Sequence, residues 1–506
     1  MPTTILRTRD GKLDAQDRQT FEALKARLKT GGEPVLIHLH GGLVTQAAGE
    51  DTARRLAGAG VDAYNAPANF EQVYVVWRTG LLETVGTNWR DLFENDNLYR
   101  ALFKKMLKYA ASRVNLDDGS GRSLSSTVEL SETEIEARLA SGSDAPFADL
   151  DERIGANEPG RSVGVAVADE DTVEAEVTAI FEFDSELEAI ASSIAAAAKD
   201  TEGGRGPSSP ADAAEGAAIL ARLDPDVENE LVGEADEAGQ RGLITFVAVL
   251  KGLVKHGARI AWRVISRFRN GRDHGLHATV IEEILRELYG DRIGAPVWQM
   301  MKTDAADHFH DNAMGAELVD ALVGSDRKVI VVGHSAGSIW AGAFLEAATQ
   351  KDSFPKVDLL LLAPAVRSIE FADVAEKASN LIGKFRIFTM ADMYERRDPV
   401  LGKGTGAIYP SSLLYLISGI LERRDNKPFV DAPVLGMQRF IHRDPAWIGE
   451  EDERNAMATV RSYLSSNADS VVYSVIDGGP GLSSSATSHS GFDDDEPTLK
   501  SIASFF

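Results

Sequence analysis

The chain has 506 residues, of which 43% are hydrophobic and 26% charged, and its formal net charge is −25. This composition is typical of a folded globular protein, and the length predicts one large domain with insertions or two domains. Because the chain contains no cysteine, disulfides, thiolate nucleophiles and cysteine zinc sites are excluded. The acidic balance argues against nucleic acid as a partner, since a phosphate backbone would be repelled.

No segment of the sequence predicts export or insertion into a membrane. The N-terminus, MPTTILRTRDGKLD, lacks the apolar region of a signal peptide, and no apolar run reaches membrane-spanning length. We therefore expect a cytoplasmic protein.

Short runs of β-branched and aliphatic residues recur near both ends of the chain, each followed by a turn and a helix-like stretch. Such alternation predicts an α/β fold with a mostly parallel central sheet and helices on both faces. The predicted strands are Pro34–Leu39, Gln72–Trp77, Lys328–Val332, Val357–Leu362, Phe385–Met390 and Ser470–Ile476.

The second and third of these strands are roughly 250 residues apart, far more than the dozen or so that a crossover needs. We therefore predict a core made of residues 1–112 and 290–506, and an insertion, residues 113–289, that is mainly helical or partly disordered. Residues 117–126 and 201–210 read as linkers, and the stretch between them is strongly acidic. A smaller helical cap is predicted at 401–465, and an ordinary helix packed on the sheet remains the alternative for residues 401–422.

Residues 242–270 predict an amphipathic helix with one basic and one apolar face. Three interpretations remain open: the apolar face packs on the protein while the basic face pairs with the acidic insertion, the helix contacts a membrane surface as a peripheral anchor or lid, or it forms a surface for a partner protein. The basic face carries Lys251, Lys255, Arg259, Arg263, Arg267 and Arg269, with Trp262 on the same side. The apolar face carries Phe246, Leu250, Leu253, Val254, Ile260, Val264, Ile265 and Phe268.

The most informative segment is 328–340, KVIVVGHSAGSIW, in which a strand leads into Gly333-His334-Ser335-Ala336-Gly337 and then a helix. The spacing G-x-S-x-G in this context is typical of a serine held on a sharp strand-to-helix turn, where its hydroxyl is exposed to a base and a substrate. The glycines permit the tight backbone path.

In these residues the chain resembles the α/β-hydrolase superfamily of serine esterases and lipases. A second feature of that family is an H-G-G turn after an early strand, and His40-Gly41-Gly42 follows Pro34–Leu39. The resemblance implies an oxyanion hole built from backbone N–H groups of Gly41, Gly42 and Ala336. His40 precedes the nucleophile in the chain, so we interpret it as shaping the turn.

The family order of nucleophile, acid and histidine implies a catalytic triad of Ser335, Asp392 and His489. His489 follows the last predicted strand in a Ser- and Gly-rich loop, whereas His442, the other histidine after Ser335, precedes that strand. Asp392 follows the fifth predicted strand directly. Asp398, which stands before a proline, remains the main alternative, and Glu395 a further one.

The resemblance implies acyl transfer to water, with a small-molecule ester or a lipid as substrate and no cofactor. The acidic run Asp493–Glu496 is interpreted as a solvated or helix-capping cluster, so no metal site is predicted. Two alternatives remain: a lipase or phospholipase at a membrane surface, reached through residues 242–270, and a catalytically silent binding protein with this fold.

Overall fold

The computed structural model describes residues 3–42, 45–77, 81–114, 129–154, 165, 169–200, 209–233, 246–424, 427–442 and 449–506. The segment 117–126 lies outside these residues, as does most of 201–210. The strands are β1 Thr3–Arg9, β2 Lys12–Leu13, β3 Val35–Leu39, β4 Glu71–Trp77, β5 Val329–His334, β6 Val357–Leu362, β7 Ile382–Met390, β8 Arg423–Arg424, β9 Lys427–Pro428, β10 Val471–Ser474, β11 Ile476–Asp477 and β12 Ser483–Ser484.

The helices connect these strands and fill the long interval between β4 and β5. They are α1 Arg18–Thr30, α2 Gln46–Ala57, α3 Leu81–Asn95, α4 Asn97–Arg113, α5 Glu132–Leu139, α6 Ala148–Ile154, α7 Glu170–Phe181, α8 Ser185–Asp200, α9 Pro210–Arg222, α10 Pro225–Val232, α11 Phe246–Arg269, α12 Leu276–Leu288, α13 Ala295–Asp307, α14 Met314–Leu322, α15 Gly337–Thr349, α16 Ser368–Ala378, α17 Asp392–Glu395, α18 Leu413–Leu416, α19 Gln438–His442, α20 Glu451–Ser466 and α21 Glu496–Ala503.

The central sheet has eight strands in the order β10-β7-β6-β5-β3-β4-β1-β2. Only the short edge pair of β1 and β2 is antiparallel within it. Every residue of β3 and β5 is buried, so both faces of the sheet centre are covered, as expected for apolar runs without alternation. The predicted α/β class and its mostly parallel sheet are confirmed.

The predicted strands all appear, with ends that differ by a few residues. The last prediction, Ser470–Ile476, is divided: β10 joins the central sheet, whereas Ile476 pairs with Ser484 in a separate two-stranded ribbon. The prediction missed β1, whose side chains alternate between exposed and buried. Within the described ranges no helix is both long and apolar enough to cross a membrane.

The register of the sheet brings the two sequence motifs to one edge. Leu39, the last residue of β3, lies opposite Gly333, and His334 at the end of β5 lies opposite Leu362 of β6. The strands are parallel, so the turn after β3 and the turn after β5 leave the sheet side by side. This carboxyl edge is where open α/β sheets place their ligands.

The described part of the insertion is helical, and α11 is packed against α7, α8 and α12. Most of the apolar face of α11 is therefore covered by protein, although Phe246 at its N-terminal end is 36% exposed. The basic face pairs with acids of neighbouring helices: Lys255 lies 3.3 Å from Glu230, and Arg263 lies 2.6 Å from Glu287. The membrane-surface interpretation needs the apolar face that these helices occupy.

One residue of α11 departs from the predicted faces. Arg267 was predicted on the basic face with five exposed or paired cations, but only 4% of its side chain is exposed, and its Nη1 lies 2.6 Å from Glu282 and 3.0 Å from Glu283 of α12. The two buried carboxylates account for the burial of the guanidinium, because a charge leaves water only when it is paired.

The predicted cap 401–465 contains elements that pack in different places. Residues 413–421 form the short helix α18 and a π-helical turn, all of them buried. In contrast, α20 packs on α16, the helix that follows β6 in the core.

Candidate active site

Ser335 stands on a strained turn between β5 and α15. Its φ angle is +52°, in the left-handed region that residues with a side chain rarely occupy. The turn is fixed by hydrogen bonds on both sides, from the N–H of Ser335 to the Leu362 carbonyl at 2.8 Å and from the N–H of Ala365 to the Ser335 carbonyl at 3.1 Å. Such strain persists only where the surrounding structure over-determines it, and it is common at functional sites.

The two glycines that flank the serine are required by close backbone approach. A Cβ on Gly333 would lie 2.7 Å from the carbonyl oxygen of Gly337, and a Cβ on Gly337 would lie 2.6 Å from that of Leu39. Both distances are well below van der Waals contact. The glycines of G-x-S-x-G therefore permit the turn itself and the contact of α15 with the end of β3.

His489 meets Ser335 across 154 residues of sequence. Its Nε2 lies 2.8 Å from the Ser335 Oγ, and both side chains are buried. Burial, reinforced by the nearby His334, lowers the pKa of His489 to about 3. The imidazole is consequently neutral at neutral pH, so its Nε2 can accept the hydroxyl proton.

The turn after β3 lies directly against the serine. A Cβ on Gly41 would lie 3.2 Å from the Ser335 Cβ, and one on Gly42 would lie 2.8 Å from the Ala336 Cβ. The N–H groups of Gly42 and Ala336 donate to no residue that the structure describes. They are available for an oxyanion, which needs donors that no protein acceptor occupies.

His40 has the structural role predicted for it. Its Nδ1 donates to the Gly41 carbonyl at 2.6 Å, and its Nε2 accepts from the Trp77 N–H at 3.2 Å. Burial lowers the pKa of His40 to about 4, so this neutral form persists and fixes the turn to β4.

The structure places the predicted acid Asp392 away from His489. Asp392 begins α17, its carboxylate is buried without a hydrogen-bond partner among the described residues, and its charge acts on the guanidiniums of Arg396 and Arg439. It does not line the cavity that contains Ser335. The short helix after β7 turns this carboxylate into the protein interior.

Asp398 is the carboxylate that lies at the histidine. Its Oδ2 accepts a 2.6 Å hydrogen bond from the backbone N–H of His489, and burial raises the pKa of Asp398 to about 6. The Nδ1 of His489 has no hydrogen-bond partner among the described residues. The geometry therefore favours the sequence alternative Asp398 over Asp392. Glu395 instead bonds Ser412.

A second histidine holds the His489 loop from the other side. The Nε2 of His334 donates to the His489 carbonyl at 2.9 Å, and its Nδ1 lies 3.6 Å from the Asp493 carboxylate. Burial disfavours the charged form of His334, but Asp493 outweighs it, so the pKa of His334 is raised. Arg55 donates to the Asp493 carbonyl at 2.7 Å and pairs with Asp494 at 2.6 Å.

The sequence interpretation of the acidic run was correct only in part. Asp495 caps α21 through the Thr498 N–H at 3.0 Å, as predicted. Asp493, however, is buried beside His334. His334 was visible in the motif, but no local signal indicates its contact with a loop 155 residues away.

A cavity of about 730 Å³ opens in front of Ser335. Its lining includes Thr87 and Arg90 of α3 and the apolar residues Val400, Leu401 and Leu413. Its size is in the range of small-molecule sites. In the described residues no cluster of three or more metal-ligating side chains occurs.

The charge of His334 is expected to set the pH dependence of His489. His334→Gln keeps a donor for the His489 carbonyl but removes a positive charge that lowers the pKa of His489. The pKa of His489 should therefore rise toward its ordinary value. Titration of its ring followed by nuclear magnetic resonance measures this pKa, with the exposed His310→Gln as control. An unchanged pKa would show that His334 carries no charge.

Comparisons of this chain with protein-family models, curated proteins and solved structures find no match.

Proposed function

We propose that this protein is a serine hydrolase that cleaves a carboxylic ester or a related acyl bond through an acyl-enzyme intermediate. The observation that carries the proposal is the 2.8 Å contact between His489 Nε2 and Ser335 Oγ, made on a turn where Ser335 has a φ of +52°. A serine hydroxyl is a poor nucleophile until a neighbouring base takes its proton.

In the proposed reaction His489 accepts the Ser335 proton while Oγ attacks the ester carbonyl carbon. The carbonyl oxygen becomes negative and is held by backbone N–H groups of Gly41, Gly42 and Ala336. The imidazolium then protonates the leaving alcohol, and a water molecule, deprotonated by the same histidine, releases the acyl group.

The polar and apolar walls of the cavity support a small-molecule ester as substrate. A lipase acting at a membrane surface is less well supported, because the apolar face of α11 packs on other helices. A catalytically silent binding protein has no need for a histidine at hydrogen-bonding distance from a strained serine.

Fluorophosphonate labelling tests the proposal, because this reagent phosphonylates only an activated serine. We expect labelling of the wild-type protein at Ser335, located by peptide mass spectrometry, and none in Ser335→Ala. The variant Ser338→Ala is a matched control, since Ser338 Oγ bonds the Ser335 carbonyl at 2.6 Å and does not face the cavity. Folded wild-type protein that takes up no label would refute the hydrolase assignment.

A further inference from the structure

A second cavity, of about 510 Å³, lies where the C-terminal end of α11 meets the segment that carries β8. It is separate from the Ser335 cavity, with which it shares no lining residue. Four guanidiniums line it, from Arg263, Arg267, Arg272 and Arg424. This concentration stands out in a chain with 78 acidic and 53 basic residues.

The innermost guanidinium has an unused donor. Arg267 is buried, and its Nη1 and Nε are bonded to Glu282, Glu283 and the Arg272 carbonyl. Its Nη2 has no hydrogen-bond partner among the described residues. A buried N–H without an acceptor is costly, so this atom is a position where a ligand oxygen would be favourable.

Arg272, whose side chain is more exposed than that of Arg267, also has a donor nitrogen without a partner among the described residues. Its Nη2 donates to the Val430 carbonyl, whereas its Nε lies 3.8 Å from Asp431 and has no hydrogen-bond partner within the described chain. Guanidinium groups present several donors in one plane and bind oxyanions through them.

The outer pair of guanidiniums leaves most of its donors open. Arg263 and Arg424 are 45% and 40% exposed, and each is held by one acid, Glu287 at 2.6 Å and Asp452 at 2.9 Å. Neither of these acids lines the cavity. Arg263 and Arg424 thus stand at the cavity with donors that an incoming anion could use.

Guanidinium groups outnumber carboxylates among the residues that line the cavity. Four guanidiniums line it with two carboxylates, those of Glu283 and Glu450, while Glu282, Glu287 and Asp452 pair with these arginines from outside the lining. A phosphate monoester offers three acceptor oxygens. It can therefore accept from several guanidiniums at once, where a carboxylate offers two oxygens.

Aromatic rings form the remaining wall. Trp262 lines the cavity, with the Arg269 guanidinium 5.3 Å from its ring centroid, and so does Phe429, with Arg367 at 5.1 Å. Such rings give contact area to the organic part of a ligand.

We propose that this cavity binds a phosphate monoester, with the phosphate on the four guanidiniums and the organic group against Trp262 and Phe429. The site would give the basic face of α11 a function that does not depend on Ser335. The phosphate belongs either to a soluble metabolite or to a phosphomonoester lipid headgroup.

Calorimetric titration with phenyl phosphate, on the full chain, tests the soluble source. We expect wild-type protein to bind it, and Arg263→Gln and Arg424→Gln each to weaken binding by about tenfold, the usual loss when a charge-assisted hydrogen bond is removed. Arg259→Gln is the matched control, because Arg259 lies one turn earlier on α11 and does not line the cavity. Thermal melts check that the variants are folded.

Co-sedimentation with phosphatidylcholine vesicles, with and without phosphatidic acid, tests the lipid source using the same variants. Binding that depends on phosphatidic acid, Arg263 and Arg424 assigns the site to a headgroup. Binding of phenyl phosphate alone, with that dependence, assigns it to a soluble ligand. The proposal is wrong if the protein binds neither phenyl phosphate nor vesicles with phosphatidic acid, or if Arg263→Gln, Arg424→Gln and Arg259→Gln all bind equally well. The hydrolase assignment does not depend on any of these outcomes.

Discussion

Replacing His489 with alanine is expected to lower kcat for a p-nitrophenyl ester by about 10⁶-fold, the size of effect seen when the histidine of a serine protease is removed. The physical reason is that Ser335 then has no group at hydrogen-bonding distance to take its proton, since His489 Nε2 is the atom 2.8 Å from its Oγ. Steady-state kinetics on purified, folded protein measures the effect.

His442→Ala is the control for this experiment. His442 is the other histidine after Ser335 in the chain, and it lies at the end of α19 with its ring 4.9 Å from that of Tyr473. We expect its loss to leave kcat within a few-fold of wild type. The assignment of the base would be wrong if His442→Ala, and not His489→Ala, removed activity.

The second large effect is expected at Asp398. Asp398→Asn should lower kcat by about 10⁴-fold, because an amide can neither hold the imidazole in the required tautomer nor stabilise the imidazolium. In the structure Asp398 Oδ2 accepts from the His489 N–H, and the His489 Nδ1 has no hydrogen-bond partner in the described part of the chain. A rotation of this carboxylate toward Nδ1 on substrate binding would complete the triad, since catalytic hydrogen bonds often tighten only in the complex.

The low pKa of His489 is a second reason to expect the Asp398 carboxylate to rotate toward Nδ1. Burial holds the pKa of His489 at about 3, too low for an efficient base near pH 7, and an ionised carboxylate at Nδ1 would raise it. We therefore expect the activity of wild-type protein to decline as pH falls through about 6, the pKa of Asp398. In Asp398→Asn no carboxylate charge can raise the pKa of His489, so the activity should be low at every pH.

Asp392→Asn separates the two candidate acids. Asp392 is buried and its charge acts on Arg396 and Arg439, so its replacement is expected to cost roughly 0.5–3 kcal/mol of stability. The kcat of the folded fraction should stay near wild type. Thermal unfolding and active-site titration distinguish a loss of folded protein from a loss of turnover. Asp392 would be the acid if folded Asp392→Asn were inactive while Asp398→Asn turned over normally.

Much of the core was accessible from local sequence. Continuous apolar runs such as Val357–Leu362 predict buried parallel strands because both faces of the sheet must be covered. The turn at Ser335 was equally accessible, because the requirement for Gly333 and Gly337 comes from backbone contacts within one strand-turn-helix unit and with the adjacent strand. The strand β1 was missed because its alternating pattern is weaker than a continuous apolar run.

What the amino-acid sequence by itself determined is the α/β class, the serine turn, the glycine turn after β3 and the choice of His489 over His442. Only the tertiary structure decided which of the candidate aspartates lies at His489, that His334 holds the same loop, and that α11 buries most of its apolar face and Arg267. The physical reason is the separation along the chain of the residues that determine each feature. Strands and tight turns are specified by neighbouring residues. The partners of a buried charge are set by packing between segments that lie far apart in the chain.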